Sequence, residues 1–330
     1  MATGPPRRSH SDVAQGHFAD SRDVGSQLAA LERDGFGAEA RAAFADLTEL
    51  LARLRLIDRG RLGMVNSRNH ARAVTDAQEQ RLVLKLTVVD IGDEAAVLTA
   101  WHAAGLAGLT PAVVASGRST SGWSWTLQQQ LPGSVPALDR GSDLLPAAAH
   151  AATQLHLPAA TSPSCPLVDL LLRRRLRAGG GSPRLRRISE SAASAIPPSS
   201  LADSRLLHGD FAANNLCVDH THVSVFDPCG LVGSAAYDLA RYVARSCVDA
   251  PIGHELARAA SAYRAAGGTV NDRDLDIYTA AELCDVARWA QRPMSSGHHF
   301  PPRDDETALD AAEALLAGAR PGGESELADS

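Results

Sequence analysis

The chain has 330 residues, 45% of them hydrophobic, and a formal net charge of −6; it is long enough for one large domain or two lobes. The mild acidity excludes a basic nucleic-acid binder or a protein held on an anionic membrane surface, and weakly favours a cationic small-molecule partner. The five cysteines (165, 217, 229, 247 and 284) show no C-x-x-C spacing, which excludes a zinc ribbon or a disulfide scaffold and suits reduced thiols.

In chain order, residues 1–24 lack the apolar core of a secretory signal and are expected to form a disordered tail, as are residues 323–330. No later apolar run is long enough to span a bilayer, so a cytoplasmic location is expected. Between Ser26 and Leu56 leucines recur at helical spacing, with Gly35 and Gly37 dividing two helices. Gly63-Met-Val-Asn-Ser-Arg-Asn69 follows as a polar turn, in which Ser67 and Asn69 could offer donors to a phosphate or could simply face water. Leu82 to Val89 is a near-continuous apolar strand with Lys85, the chain's single lysine, at its centre. A lysine there is costly to bury unless paired; the alternative is an edge strand with its ammonium in solvent. Elsewhere the chain uses arginine, so a retained lysine points to a site that needs a compact ammonium rather than a planar fork. Asp93 and Glu94 open the next helix. Either could pair with Lys85, or serve as a first-turn carboxylate favoured by the helix dipole.

Pro111 to Ser116 and Trp123 to Gln128 flank Gly117 to Gly122 as a hairpin, and Gln129-Gln-Leu131-Pro-Gly133 follows. Helices are expected over Leu144 to His156 and Leu167 to Arg177, with the Gly- and Ser-rich runs Ala178 to Ser182 and Ser189 to Ser204 as flexible connectors. The stretch from Leu206 to Asp227 carries the chemistry. His208-Gly209-Asp210 is followed by Asn215, then by two β-branched runs, Leu216 to Val218 and Val223 to Phe226, that predict a hairpin. A three-residue turn at His220, Thr221 and His222 would set Cys217 opposite Val225 and Asn215 opposite Asp227. An amide oxygen and a carboxylate at the open end of such a hairpin suit Mg²⁺, leaving Asp210 available as a base. The last third is helical: Ala235 to Val248, Glu255 to Ala266, Asp274 to Gln291 and Glu306 to Ala319. Asp238 is expected to cap or anchor the Asp210 loop rather than touch a ligand, and His156 to pack locally at a helix end. The pairs His220/His222 and His298/His299, each without a third ligand, suit solvated histidines rather than metal sites. The acidic residues from Asp272 to Asp285 mostly suit a solvated helix face.

The pattern H-G-D-x-x-x-x-N, a short hairpin and Asp227 resembles the small-molecule branch of the kinase fold, the aminoglycoside phosphotransferases; protein kinases carry H-R-D-x-x-x-x-N and D-F-G at these places. Asp227-Pro-Cys-Gly-Leu-Val-Gly-Ser-Ala-Ala-Tyr-Asp-Leu-Ala240 and Glu94-Ala-Ala-Val-Leu-Thr-Ala-Trp101 are similar to runs of its streptomycin 6-phosphotransferase and hydroxyurea kinase subgroup. The sequence departs from the family at Gln129 and Gln130, where an acid and an arginine are common, and at Ser234, where an aspartate is usual.

The resemblance implies an α+β, two-lobed protein-kinase-like fold: a small antiparallel-sheet lobe (residues 25–128), a hinge (129–133) and a larger, mostly helical lobe (134–322). It implies ATP and Mg²⁺ as cofactors. Asp210 would be the catalytic base, Asn215 and Asp227 would hold the metal, and Lys85, paired with Glu94, would hold the phosphates. Ser67 would help cover the nucleotide, and the backbone of Gln129 and Leu131 would grip the base. The expected partner is the hydroxyl of a small molecule, most simply an aminoglycoside-type antibiotic, in a monomer or homodimer. A kinase of another small alcohol and a non-catalytic nucleotide-binding scaffold remain as alternatives.

Overall fold

The structure, a computed structural model, describes residues 37–62, 69–88, 92–159, 165–199, 203–248, 250–291 and 303–321. Helix α1 (Gly37–Arg53) places Ala40, Ala43, Leu47 and Leu50 on one buried face, the spacing of an amphipathic helix. That face covers an antiparallel five-stranded sheet built from β1 (Ile57–Leu62), β2 (His70–Thr75), β3 (Arg81–Thr87), β4 (Val113–Arg118) and β5 (Ser124–Gln129). The strand order is β1-β2-β3-β5-β4. Strand β3 alternates as a half-covered strand does: Leu82, Leu84 and Leu86 enter the cluster beneath α1, which turns Val83, Lys85 and Thr87 to the opposite face. The turn between β1 and β2, and Ser67 with it, lies outside the described residues.

Helix α2 (Glu94–Ala103) follows β3, capped by Asp93, whose side chain accepts from the Ala96 amide. Val97, Leu98 and Trp101 of α2 join the core of the helical part, and Trp101 Nε1 donates to the Leu155 carbonyl at 2.8 Å. This contact ties the helix beside Lys85 to the far side of the cleft.

From Gln130 onward the chain is mostly helical: α3 (Gly141–Leu155), α4 (Val168–Ala178), α5 (Pro183–Ala195), α6 (Ala236–Ser246), α7 (Ile252–Ala265), α8 (Asp272–Ala290) and α9 (Asp305–Leu316). Short strands β6 (Arg205–Leu207) and β9 (Leu231–Gly233) pair with each other, as do β7 (Leu216–Asp219) and β8 (His222–Val225). This is a mixed α+β, kinase-like fold with nine α-helices among the described residues. None of those helices is long and apolar enough to cross a membrane.

One expected connector is helical in its first half. Helix α5 takes in residues 189–195 of the Ser189 to Ser204 run, where Ala192 and Ala193 continue the stripe begun by Leu185 and Ile188 that is buried in the core. Ser182 caps α5 by accepting from Leu185 N, and Pro183 occupies the first turn, where its missing donor costs nothing. Burial outweighs the weak helix propensity of serine here.

Candidate active site

The loop after β6 is held by one carboxylate. Asp238, on the first turn of α6, is fully buried; its Oδ2 accepts from His208 N (2.8 Å) and its Oδ1 from Gly209 N (2.9 Å). His156 Nε2 donates to the same carboxylate at 3.0 Å, with Tyr263 Oη on the other ring nitrogen at 2.7 Å. Burial alone would raise the Asp238 carboxyl, but the His156 hydrogen bond and the neighbouring imidazoles bring it below its usual range. Gly209 sits at φ 80°, and a Cβ there would press on the side chains of Leu231 and Cys229. The glycine is therefore a steric requirement where protein kinases carry arginine.

His208 links two segments. Its carbonyl accepts from Cys229 N (2.8 Å) and Gly230 N (3.2 Å), and its Nε2 donates to the Phe226 carbonyl at 2.8 Å. Nδ1 accepts from Asp210 N at 3.1 Å, which fixes the neutral Nε2–H tautomer. Burial, the largest influence, lowers the imidazole pKa and agrees with that state. Asn215 donates from Nδ2 to the Asp210 carbonyl at 2.7 Å. Its remaining oxygen, Oδ1, meets Asn214 Nδ2 at a long 3.3 Å.

The hairpin forms with a register one residue away from the sequence expectation. Leu216 pairs with Val225, and Cys217 with Ser224, because the turn has two residues rather than three. His220 accepts the left-handed conformation (φ 53°) that so tight a turn needs. Asn215 consequently faces Phe226, whose amide donates to the Asn215 carbonyl at 3.1 Å, and Asp227 falls just beyond, itself at φ 62°.

Lys85 is buried, not an edge-strand lysine. Its Nζ meets Glu94 Oε2 at 2.7 Å and also bonds Asp227 Oδ1. Of the two acids heading α2 it is Glu94 that pairs, while Asp93 caps the helix. Gln128 Nε2 donates to the second Glu94 oxygen at 2.8 Å. Burial works to lower the Lys85 pKa, yet Asp227 and Glu94 together hold it well above the ordinary lysine range. One ammonium does not compensate two carboxylates. Glu94, the more buried of the acids, is pushed up, by burial first and with Asp227 adding to it. Gly92 allows this assembly, since a Cβ there would collide with the carbonyls of Cys229 and Gly230.

The cleft at Lys85 is lined by Asn69, Thr87, Glu94, Thr126 and Asp227 among others. Gln129 lies three residues along β5 from Thr126, the pairing partner of Lys85, which is about 10 Å at 3.4 Å per residue. The Gln129 amide is bonded to Ala112 O (2.9 Å) and the Gln130 amide to Arg81 O (3.2 Å). What Gln129 can present to a ligand is therefore its carbonyl, with the half-buried Leu131 after it. At the position where the family has an aspartate, Ser234 Oγ accepts from Ala236 N at 3.4 Å, a weak substitute at the start of α6.

Sequence reasoning missed the residues behind Asp210, and it placed Glu282 and Asp276, both buried in the structure, in a mostly solvated acidic face. Arg241 donates from both Nε (2.8 Å) and Nη2 to Asp210 Oδ1, and from Nη1 to Glu282 at 2.7 Å. Arg175 and Arg245 reach the same Glu282 carboxylate at 2.6 and 3.0 Å. Although burial pulls the other way, the guanidiniums of Arg241 and Arg245 hold the Asp210 carboxyl down at about 2. The one signal in the sequence was the i, i+3 spacing of Asp238 and Arg241, which puts the arginine on the helix face of the carboxylate expected to anchor the Asp210 loop.

The donor set fits a hard divalent cation. Asp227 offers a carboxylate beside a group with an unbalanced negative charge, and Asn215, whose carbonyl accepts from the amide of the preceding Phe226, offers an amide oxygen. Among the described residues no cluster of three or more His, Cys, Asp or Glu could hold a metal by itself. Phosphate oxygens and waters would complete the coordination, as is usual for Mg²⁺.

The profile of the phosphotransferase enzyme family APH matches residues 66–275. No curated protein matches the chain in sequence. Among solved structures, the chain is similar to an amicoumacin kinase in complex with AMP-PNP, Ca²⁺ and its ligand: TM-score 0.58, 12% identity, 86% of this chain and 96% of that one. It is similar to a microcompartment-associated aminopropanol kinase: TM-score 0.57, 16% identity, 78% and 93% covered. It also resembles the GDP complex of an aminoglycoside 2'-phosphotransferase-IIIa: TM-score 0.52, 14% identity, 84% and 99% covered. These likenesses are of fold. With the profile covering well over half of the sequence, the chain belongs to the phosphotransferase enzyme family and is a small-molecule phosphotransferase.

Proposed function

We propose that the protein is an ATP-dependent O-phosphotransferase acting with Mg²⁺ on a hydroxyl of a small molecule, with an aminoglycoside-type antibiotic the first acceptor to test. The observation that carries this reading is the Lys85–Glu94–Asp227 group, joined through Phe226 and His208 to the Asp210–Asn215 loop. In this reading Lys85 holds the α- and β-phosphates and Glu94 keeps its ammonium in place. Mg²⁺ held by Asn215 and Asp227 would neutralise charge on the transferring phosphate. Asp210 orients the acceptor hydroxyl and takes its proton as the oxygen bonds the γ-phosphorus. The bond from that phosphorus to the bridging oxygen breaks with its electron pair on ADP, which leaves. A carboxyl held at about 2 is a weak base, so its contribution lies in orientation, with the proton arriving late in a loose transition state. The run from Asp227 to Ala240 supports the streptomycin 6-phosphotransferase and hydroxyurea kinase subgroup.

A second reading, a neutral or smaller alcohol as acceptor, is favoured by the guanidiniums that engage Asp210 and the Glu282 behind it: Arg241 bonds both carboxylates, and Arg245 and Arg175 bond Glu282. A polycation would find these carboxylates already engaged. The deciding experiment is ADP release from the purified protein with ATP and Mg²⁺, screened over aminoglycosides and over neutral and anionic alcohols. Acceptor-stimulated release with one class is expected; the absence of stimulation across both would overturn the reading.

A further inference from the structure

We propose that Arg241 is a positioning residue of phosphoryl transfer: it pins one oxygen of Asp210, Oδ1, so that Oδ2 alone is presented to the acceptor hydroxyl. This rests on the proposed role of Asp210 and adds to it the residue that sets its orientation. Both Nε and Nη2 of Arg241 donate to Oδ1, so the two lone pairs of that oxygen are occupied. Among the described residues no hydrogen bond engages Oδ2, and the Asp210 side chain is one-third exposed.

Arg241 cannot readily swing away. Its third donor, Nη1, is bonded at 2.7 Å to Glu282, whose side chain is fully buried and which also takes Arg175, Arg245 and Tyr237 Oη (3.2 Å). Arg175 and Arg245 are in turn paired with Asp285. The guanidinium plane is thus clamped between a carboxylate that reacts and one that does not. Arg241 also stands one helical turn after Asp238 on α6, so the two share a face. Asp238 fixes the backbone of the His208–Gly209 loop and Arg241 fixes the side chain that the loop carries. Without it, the terminal torsion of an aspartate is broad and two-fold, and either oxygen could turn to the acceptor. A lysine at this position could supply charge but not two parallel donors on one oxygen.

The test is a double-mutant cycle on the full chain, with Arg241→Lys, Asp210→Ala and the combination, read as kcat and KM for the acceptor, with ATP affinity by calorimetry. Hydrolysis of ATP by water serves as a second readout, because Asp210 orients the attacking oxygen there too. We expect Arg241→Lys to lower kcat about 10- to 100-fold, the scale of a lost orientation, with acceptor KM and ATP affinity within about 3-fold. In the Asp210→Ala background the same change should have less than about a 2-fold effect, since there is no carboxylate left to position. If Arg241→Lys fails to fold, Arg241→Met with Glu282→Gln removes a buried charge of each sign together and should show the same kcat loss. Wild-type kcat in Arg241→Lys, or an equal loss in both backgrounds, overturns the proposal while leaving the kinase reading intact. A wild-type protein that neither transfers phosphate nor hydrolyses ATP overturns both.

Discussion

Replacing Asp238 by Asn keeps the shape of the side chain and removes its ability to accept on both oxygens. In the native protein Oδ2 takes His208 N and His156 Nε2, and Oδ1 takes Gly209 N. The best amide rotamer puts its oxygen at the Oδ2 position and its NH₂ against Gly209 N–H. One buried donor is then left without an acceptor, at about 1–3 kcal/mol, and the His156 bond loses its charge assistance, at about 1 kcal/mol more. A loss of about 2–4 kcal/mol is expected. In urea, with a slope of about 3 kcal/mol/M, that is a fall of about 1 M in the unfolding midpoint. Because Gly209 precedes Asp210, kcat should fall with it. The pH dependence supplies a second reading. Asp238 is depressed in the folded state, so its contribution is complete above the unfolded value of about 4 and is lost as pH falls through the lower folded value. Acidification below about pH 4 should therefore destabilise the wild type more than the Asn variant. A variant with the wild-type urea midpoint and wild-type turnover would refute the anchoring role.

Three further substitutions test the roles proposed above. Asp210→Asn should lower kcat at least ~100-fold with ATP affinity nearly unchanged, since a misoriented acceptor is felt only in the transfer step; near-normal steady-state turnover would remove Asp210 from the reaction. Asp227→Ala should abolish the Mg²⁺ dependence of nucleotide binding, seen by titration calorimetry with the metal present and absent; a dependence equal to that of the wild type would show that the metal is held elsewhere. Lys85→Arg should keep the melting temperature and lose ~10-fold or more in activity, the order of a displaced charged contact, because a planar guanidinium cannot meet Glu94, Asp227 and phosphate from the point where Nζ stands. Unchanged activity would place Lys85 outside the site.

The sequence is most legible where chemistry and periodicity coincide. Lys85, Asp210, Asn215 and Asp227 were marked by residue type and spacing, and the structure brings Lys85, Glu94 and Asp227 into direct contact and Asn215 onto the Asp210 backbone. The anchoring contacts of Asp238 were also legible, from its place in the Tyr-Asp-Leu-Ala run that follows the Asp227 segment. The choice between Asp93 and Glu94 was not, because either suits a helix start and only packing decides which one turns inward. Register was missed by one residue, because a histidine in left-handed conformation leaves no mark like that of glycine. Helix α5 was missed because serine and arginine mask its stripe of Leu185, Ile188 and Ala192. Arg241 and Glu282 lie 41 residues apart, and no local pattern links an arginine to a carboxylate at that distance.

The two charged groups of the cleft are balanced differently, and the difference bears on what each receives. Around Lys85 one ammonium faces Glu94 and Asp227, and the surplus carboxylate has no protein cation among the described contacts. A divalent ion there would reverse the sign of the group and make it attractive to the phosphates of a nucleotide. Around Asp210 the carboxylates of Glu282 and Asp285 are matched by Arg175, Arg241 and Arg245, with Arg288 also on Asp285. That side needs no external cation to be stable, and a polycationic acceptor would find its carboxylates already engaged. Among the described residues Oδ2 of Asp210 is the one carboxylate oxygen of this cluster that no hydrogen bond engages. On the proposed role of Asp210, such an arrangement would select for a hydroxyl placed at that oxygen more than for the net charge of the molecule that carries it. Acceptor screens ranked by hydroxyl geometry should therefore find substrates sooner than screens ranked by charge.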